Sequence, residues 1–463
     1  MTYSDFRGTD GGCAGVPVAR VVLREDRRGM VPLRHPWIRE TTIASIDGVA
    51  ADGEVVDLVT AKGRFLGRGI FNSRSRIRVR LYTWNESEPL DERFWTSRID
   101  RAIELRRLAG FLSIDTAHGG DGTTTHGTNA RGDATSTSVA TEAMRLINSE
   151  GDGLSGLVVD RYGDFLVVQV TALAIALRLP MLLPILKHRT GAMEIFTRSE
   201  PYTAKLEGMS PEIGGATEPV ESRPPIVVCD VGLRYEMSPW MPGQKTGLYL
   251  DQRENRLAAA RLFGGRRVLD MFCHHGGFGL AALRAGATHV TAVDASAPAI
   301  AQLCRNMTLN GFGGEEENGG DRYTPVRADA FAFLEQRLAT WRNAVAEKGG
   351  VTKSDESTRW GGVVLDPPKF ARSKANLHEA LRGYHLLNRL GISLVEPGGI
   401  LVTCSCSGAV SRDDFAQMLG RAAAQAGREL QILEQRGATM DHPVAVGCPE
   451  GEYLKCFICR VNG

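Results

Sequence analysis

The stretch Val268–Asp294, VLDMFCHHGGFGLAALRAGATHVTAVD, constrains the fold more than any other part of the chain. Its apolar start reads as a buried strand, its glycines as a tight turn, its middle as a short helix and its end as a second strand closing on an acid. Asp270 sits at the carboxyl end of the first strand, and Gly276, Gly277 and Gly279 follow. Glycine in such a turn lets backbone approach a ligand where a Cβ would collide. The helix from about Phe278 to Ala285 is expected to stop at Gly286. The strand His289 to Val293 then delivers Asp294 to the neighbouring carboxyl edge, the side on which open α/β sheets bind ligands. An acid about 20 residues beyond the glycines commonly takes ribose hydroxyls.

Taken alone, these glycines also fit a Rossmann-like turn for NAD. A dinucleotide fingerprint needs GxGxxG, however, and no glycine stands two residues after this strand. Asp-Met-Phe ahead of the glycines resembles motif I of class I S-adenosylmethionine (SAM) methyltransferases instead. On that resemblance Asp270, Phe272, Gly276, Gly277 and Asp294 are cofactor contacts. Further on, Pro325 to Arg327 reads as a strand with Asp329 at its end. In this fold an acid there binds the adenine amino group, and it also suits the N-cap of a helix Phe331 to Leu338; both roles are compatible.

The strand Gly362 to Leu365 runs into Asp366-Pro367-Pro368-Lys369-Phe370. Two prolines make a rigid turn that presents Asp366 and Pro367 to the cleft. Methyltransferases of nucleobases carry [DN]-P-P here, and Lys369 in place of an aromatic argues against exocyclic amines of adenine or guanine as target. After a helix Leu377 to Leu394 and a turn at Glu396 to Gly399, the strand Ile400 to Thr403 enters Cys404-Ser405-Cys406-Ser407. A lone strand cysteine is ordinarily a small buried hydrophobe. Beside a DPP turn it fits a specific chemistry. Carbon 5 of cytosine is too weak a nucleophile to take a methyl group from a sulfonium. A thiolate added at carbon 6 makes carbon 5 enamine-like, which is covalent catalysis by an activated cysteine.

The rest of the chain frames this domain. From Val18 short β-like runs (Ala19 to Leu23, Thr41 to Ile46, Glu54 to Val59, Phe65 to Phe71, Ile77 to Tyr82) alternate with turn residues and predict a small all-β unit. Lys62, Arg64, Arg68, Arg74, Arg76, Arg78 and Arg80 crowd one part of it, with no acid from Ala61 to Asn85. In RIRVR the alternation places Arg76, Arg78 and Arg80 on one face, a row suited either to RNA phosphates or to plain solvation. With HPWI at 35–38 and GRGIFN at 67–72, this unit resembles the PUA domain, an RNA-binding β-barrel. Phe94 to Leu108 reads as a connecting helix with its basic residues outward, Thr116 to Ser138 as a flexible insertion, and TEAMRLI as a helix ending at Ile147. A hairpin turning at Tyr162-Gly163-Asp164 follows, then an apolar helix Leu179 to Lys187 and a hairpin Val227 to Val231 with Arg234 to Met237. Lys and Arg total 55 against 54 for Asp and Glu, so any nucleic-acid surface is a local patch. No apolar run reaches a membrane span, and nine scattered cysteines do not form a disulfide framework. Without metal-ligand spacing, and with His274 and His275 expected to point apart, no metal is predicted. A reducing, cytoplasmic setting fits best.

Motif I, GQKTG…LDQR, LDPPKF, SCSG and the terminal DHPV…EGEYLKCFICR together resemble the ribosomal RNA large subunit methyltransferase I family, from Val18 to Arg460 apart from the insertions. The resemblance implies a Rossmann-like class I SAM methyltransferase domain at 226–463. Before it stand a tail at 1–16, a PUA-like β-barrel at 17–90 and a small α/β linker domain at 91–225. It implies SAM as cofactor, 23S rRNA as partner and 5-methylcytosine as product. Lys245, Thr246, Gly247, Asp251 and Arg253 then lie near the methionine and ribose end of SAM, although an ordinary capped helix start also accounts for Lys245, Asp251 and Arg253. Cys406 is the position carried over as nucleophile, with Cys404 the runner-up in its T-C-S context. Asp366, or a water it orients, takes the carbon-5 proton or else holds the cytosine amino group. Two other readings compete: methylation of another atom or RNA with a structural cysteine, and a non-catalytic SAM-binding assembly factor. Dimerisation is left open. His274-His275 departs from the small aromatic or hydroxyl run of related proteins.

Overall fold

The computed structural model describes residues 17–24, 34–112, 141–210, 223–240, 247–313, 322–347, 359–370 and 376–463. The expected tail and flexible insertion, most of the polar insertions of the catalytic domain, and Lys245 and Thr246 lie outside the described residues. The chain divides into two compact units, Met1–Pro219 and Val220–Gly463. No helix among the described residues is long and apolar enough to cross a membrane.

The first unit holds two sheets. Its six-stranded sheet runs Trp37–Arg39, Ile77–Thr83, Phe65–Phe71, Val55–Val59, Ala19–Leu23, Ile43–Asp47. Neighbours are antiparallel except Ala19–Leu23 and Val55–Val59. The second sheet runs Glu194–Arg198, Phe165–Val170, Leu157–Tyr162, Ala143–Asn148. The strand Ala143–Asn148 replaces the helix expected there. Ala, Met, Arg and Leu favour helix by themselves, but antiparallel pairing with Leu157–Tyr162 buries Met144 and Leu146. It also joins Arg145 to Asp160 at 2.8 and 3.0 Å. Cross-strand packing outweighs a weak local preference.

Helix Glu92–Leu108 is capped by Asp91, which accepts from the Phe94 amide. Its basic residues are not all outward. Arg106 is fully buried and bidentate to Asp152 at 2.6 and 2.9 Å. The Arg row likewise splits. Lys62, Arg64, Arg74 and Arg76 stay exposed, whereas Arg78 pairs with Glu40 at 2.7 Å. Arg68 is buried against Asp57, and Arg80 is buried between Ser155 and Glu207. These guanidiniums are internal ties, because carboxylates distant in sequence reach them and a fork of five donors survives burial when paired. Buried Glu207 also accepts from Asn72 and Ser75. Trp95, at 0 % exposure, is buried in the core these elements share.

In the second unit the hairpin Ile226–Asp230 and Leu233–Met237 precedes a seven-stranded sheet. The sheet runs Tyr323–Arg327, His289–Asp294, Arg267–Met271, Trp360–Leu365, Val395–Ser405, Lys455–Asn462, Glu429–Arg436. The first five strands are parallel, and Lys455–Asn462 runs antiparallel to both its neighbours, Val395–Ser405 and Glu429–Arg436. Central strands are apolar throughout, as parallel strands with both faces covered require; Leu269, Val363, Val364 and Leu401 are fully buried. Helices Gly277–Arg284, Ala297–Leu309, Ala330–Glu347, Leu377–Ser393 and Arg412–Gln425 connect them. From Arg267–Met271 the chain winds outward one way, then returns to Trp360–Leu365 and winds the other way. That reversal opens a crevice at the strands' carboxyl ends, where Asp294, Asp366 and Cys406 all sit.

Glu207→Ala would leave buried Arg80 with the longer, 3.6 Å pairing to Glu150 as its remaining counter-charge among the described residues and would remove the acceptor of the Ser75 hydroxyl. It is expected to destabilise the first unit by about 3–5 kcal/mol in urea unfolding; a change below about 1 kcal/mol would show that the Arg80 network is dispensable.

Candidate active site

One wall of the crevice is the glycine turn. Phe272, His274 and Gly276 all have positive φ, at 59°, 48° and 83°. Two non-glycine residues in this region cost about 1–2 kcal/mol each, a concentration of strain typical of ligand-binding turns. The glycines serve packing as well as access. A Cβ on Gly276 would lie 2.2 Å from Leu303 Cδ1, and one on Gly277 would lie 2.5 Å from Arg256 Nε. Asp270 is buried and accepts from the Gly279 amide at 2.9 Å, fastening strand to helix. Burial pushes its carboxyl up to about 7. Asp294 is half-buried and accepts from the amides of His274 (3.1 Å) and Ser296 (2.9 Å). Asp329 caps the next helix through the Ala332 amide at 3.0 Å. Gly247 has φ 134°.

The histidine rings do not point apart: their centroids are 3.8 Å from each other. Burial keeps both neutral, lowering His274 and bringing His275 down to about 3. Tyr249 meets His274 edge-on at 5.0 Å. Burial, then Asp366, Asp251, Cys406 and Asp294, raises its hydroxyl to about 12. A group that feels both walls stands between them, and sequence reading passed over it.

The opposite wall is the DPP turn and the SCS segment. Gln252 Nε2 donates to Asp366 Oδ1 at 3.0 Å. Asn255 Nδ2 donates to Gln252 Oε1 at 2.6 Å, and Arg436 Nε to Asn255 Oδ1 at 3.0 Å. This relay fixes the Gln252 amide with its donor toward Asp366. Asp251 and Arg253 build the wall from behind. Arg253, 2 % exposed, is enclosed by Asp230 and Asp441, and Asp441 in turn meets His442 Nδ1 at 2.7 Å. Buried Asp251 accepts from the Tyr453 hydroxyl. The terminal DHPV and EGEY residues thus complete the site's frame.

Strand alternation separates the two cysteines from the serines between and after them. Ser405 and Ser407 each bond the buried Tyr384 hydroxyl at 3.0 Å. Cys406 is half-buried, its Sγ 4.0 Å from the Pro367 carbonyl oxygen. Cys404 is fully buried opposite Cys456, and burial pushes its thiol well above the usual range. Lys455, also missed from sequence, donates to the carbonyls of Ser407 (2.6 Å) and Tyr453 (2.8 Å). The signal for it was a lone lysine inside the apolar run Leu454–Ile458.

Residues 21–84 match the PUA-like domain family, and residues 214–316 match the S-adenosylmethionine-dependent methyltransferase family. The ribosomal RNA large subunit methyltransferase I of Shewanella amazonensis is 34 % identical over 442 residues, 96 % of this chain and 99 % of that protein. The protein of the same name from Escherichia coli is 34 % identical over 450 residues, with the same coverage. The chain belongs to the ribosomal RNA large subunit methyltransferase I family. A crystal structure of a candidate methyltransferase complexed with SAH covers 95 % of this chain and 99 % of its own, with TM-score 0.71 at 16 % identity. One from Streptococcus mutans gives TM-score 0.70 at 17 % identity over the same shares. At these identities both speak for the fold alone.

Membership in this methyltransferase family makes SAM the cofactor, and the crevice fits it. His274 Nδ1 is buried without a hydrogen-bond partner, beside an Asp294 carboxylate held at the strand end. An orphaned polar atom in a strained turn awaits a polar ligand. Asp294 and Asp329, at the ends of neighbouring strands, are the carboxylates on this side of the crevice that could hold such a ligand.

Asp270 gives this wall a pH signature. Its folded carboxyl keeps a proton to about 7, against 3.8 ordinarily. The folded state therefore binds more protons between those values, and stability falls as pH rises through them. Asp270→Asn should flatten that slope and gain up to about 4 kcal/mol on wild type at pH 8. Parallel urea-stability curves for the two proteins would refute the assignment.

Proposed function

We propose that this protein methylates carbon 5 of a cytosine in large-subunit (23S) ribosomal RNA through a covalent Cys406 adduct. The observation carrying this reading is the position of Cys406 Sγ, against the carbonyl of the DPP turn and on the strand next to Asp366. Membership in the family, together with the PUA-like match, supports RNA as substrate. Lys62, Arg64, Arg74 and Arg76 are the exposed cations for its phosphates; such contacts position RNA without reading sequence.

In this reading the Cys406 thiolate adds to carbon 6, and the ring electrons shift to carbon 5. SAM, when bound, would supply an electrophilic methyl group to carbon 5, its sulfonium–methyl bond breaking to leave SAH. Asp366, or a water it orients, then takes the carbon-5 proton; the electrons of that C–H bond restore the 5,6 double bond and expel the thiolate. Gln252 donates to one Asp366 oxygen and steers the carboxylate. Tyr249, neutral with its hydroxyl held at about 12, is a flat partner for the base rather than a proton acceptor. Cys404 has the chemistry of a packed thiol: buried and paired with Cys456, it stays protonated.

Cys406→Ala is expected to lower methyl transfer from labelled SAM to unmodified rRNA by at least about 10³-fold, the scale of losing a covalent nucleophile, while binding SAH about as tightly as wild type. Cys404→Ala should keep most activity. With RNA bearing 5-fluorocytosine, wild type should form a denaturant-resistant protein–RNA adduct that Cys406→Ala does not. Carbon-5 methylation undiminished in Cys406→Ala would eliminate the covalent mechanism.

A further inference from the structure

A thiol becomes a nucleophile at neutral pH only where its surroundings favour S⁻. The carbonyl oxygen of Pro367, 4.0 Å from Cys406 Sγ, works the other way, since it accepts from S–H and repels S⁻. Tyr249 and Tyr384 both sense the Cys406 charge, but burial raises both hydroxyls and keeps them neutral. Asp366, on the adjacent strand's end, is an acid. A cation is needed, and the fold supplies one from an unexpected direction.

Lys455 lies directly across from Ser405 in the antiparallel ladder and is 2 % exposed. An ammonium carries three donors. Two go to neutral acceptors, the carbonyls of Ser407 and Tyr453, and among the described residues no carboxylate forms an ion pair with it. Burying a lysine without a counter-charge is costly, so a nearby group must favour its charged form. Burial brings the ammonium down to about 8; of the groups holding the proton on, Cys406 is the strongest, ahead of Glu452, while Arg412 and Lys369 oppose it. Its 2.6 Å bond to the Ser407 carbonyl anchors this charge to the residue that follows the thiol.

We propose that Lys455 is a positioning residue for Cys406, fixing the backbone that carries the thiol through the Ser407 carbonyl and supplying the positive charge that keeps the sulfur ionised. This rests on the reading of Cys406 as nucleophile. It assigns a task to the KCFICR segment, which otherwise reads as plain sheet.

The test is the pH dependence of Cys406 alkylation by iodoacetamide, followed on the Cys406 peptide by mass spectrometry with the full chain. In wild type the thiolate should titrate about one unit below the ordinary 8.5 of a free cysteine. Lys455→Met should move it back up, slowing alkylation at pH 7 by about tenfold and leaving the rate at pH 10 unchanged; Lys455→Arg should recover part of the shift. The effect should persist at about 0.5 M salt, where exposed Lys369 is screened. SAH binding by each variant checks that it is folded. Superimposable profiles for wild type and Lys455→Met overturn the proposal. If Lys455→Met does not fold, a wild-type thiolate titrating at or above 8.5 overturns it equally. A shifted profile together with full methylation by Cys406→Ala would leave the ion pair standing and remove only the nucleophile reading.

Discussion

Everything at the active site follows from where the sheet reverses its winding. Strand Arg267–Met271 pairs on one side with His289–Asp294 and on the other with Trp360–Leu365, although 88 residues, 272–359, lie between it and the latter. Because helices cannot cover the carboxyl ends on both sides of such a reversal, a crevice is left open. Residues from four separate segments then face one another across it. Each must be rigidly held, and sequence neighbours do so only in part, as the Ser296 amide does for Asp294.

The structure meets that demand with buried polar networks. Arg436, Asn255, Gln252 and Asp366 form a one-directional relay in which every amide orientation is dictated by the next partner. Arg253 joins Asp230 to Asp441, tying the first hairpin of the unit to its C-terminal loop. Tyr384 holds Ser405 and Ser407 on one side of the strand, which leaves the sulfur of Cys406 on the other. Such networks are expensive when half satisfied and specifying when complete. Here they spend charged residues on geometry rather than on ligand contact.

The first unit uses its charges in the same way. A cluster of cations without acids nearby in sequence looks like a nucleic-acid surface. Yet Arg68 and Arg80 are sequestered by Asp57 and Glu207, and Arg106 by Asp152. What remains for a polyanion is the smaller exposed set of Lys62, Arg64, Arg74 and Arg76.

Much was legible in the chain itself. Apolar periodicity and glycine or proline punctuation gave most helices and the parallel strands at whose ends Asp294, Asp366 and Cys406 stand, because these signals are local; the turn expected at Glu396 to Gly399 instead lies within the strand Val395–Ser405, where sheet pairing overrides the local signal. The strand Ala143–Asn148 was not legible, since its partner decided its conformation. Nor were the inward arginines, Tyr249, Gln252 or Lys455. Composition establishes that a charge exists; only the fold sets which opposite charge it meets, because burial and pairing depend on residues far away in sequence. For that reason the sequence by itself determined the kind of site this protein builds, and the tertiary structure decided which side chains stand in it and which hold it up.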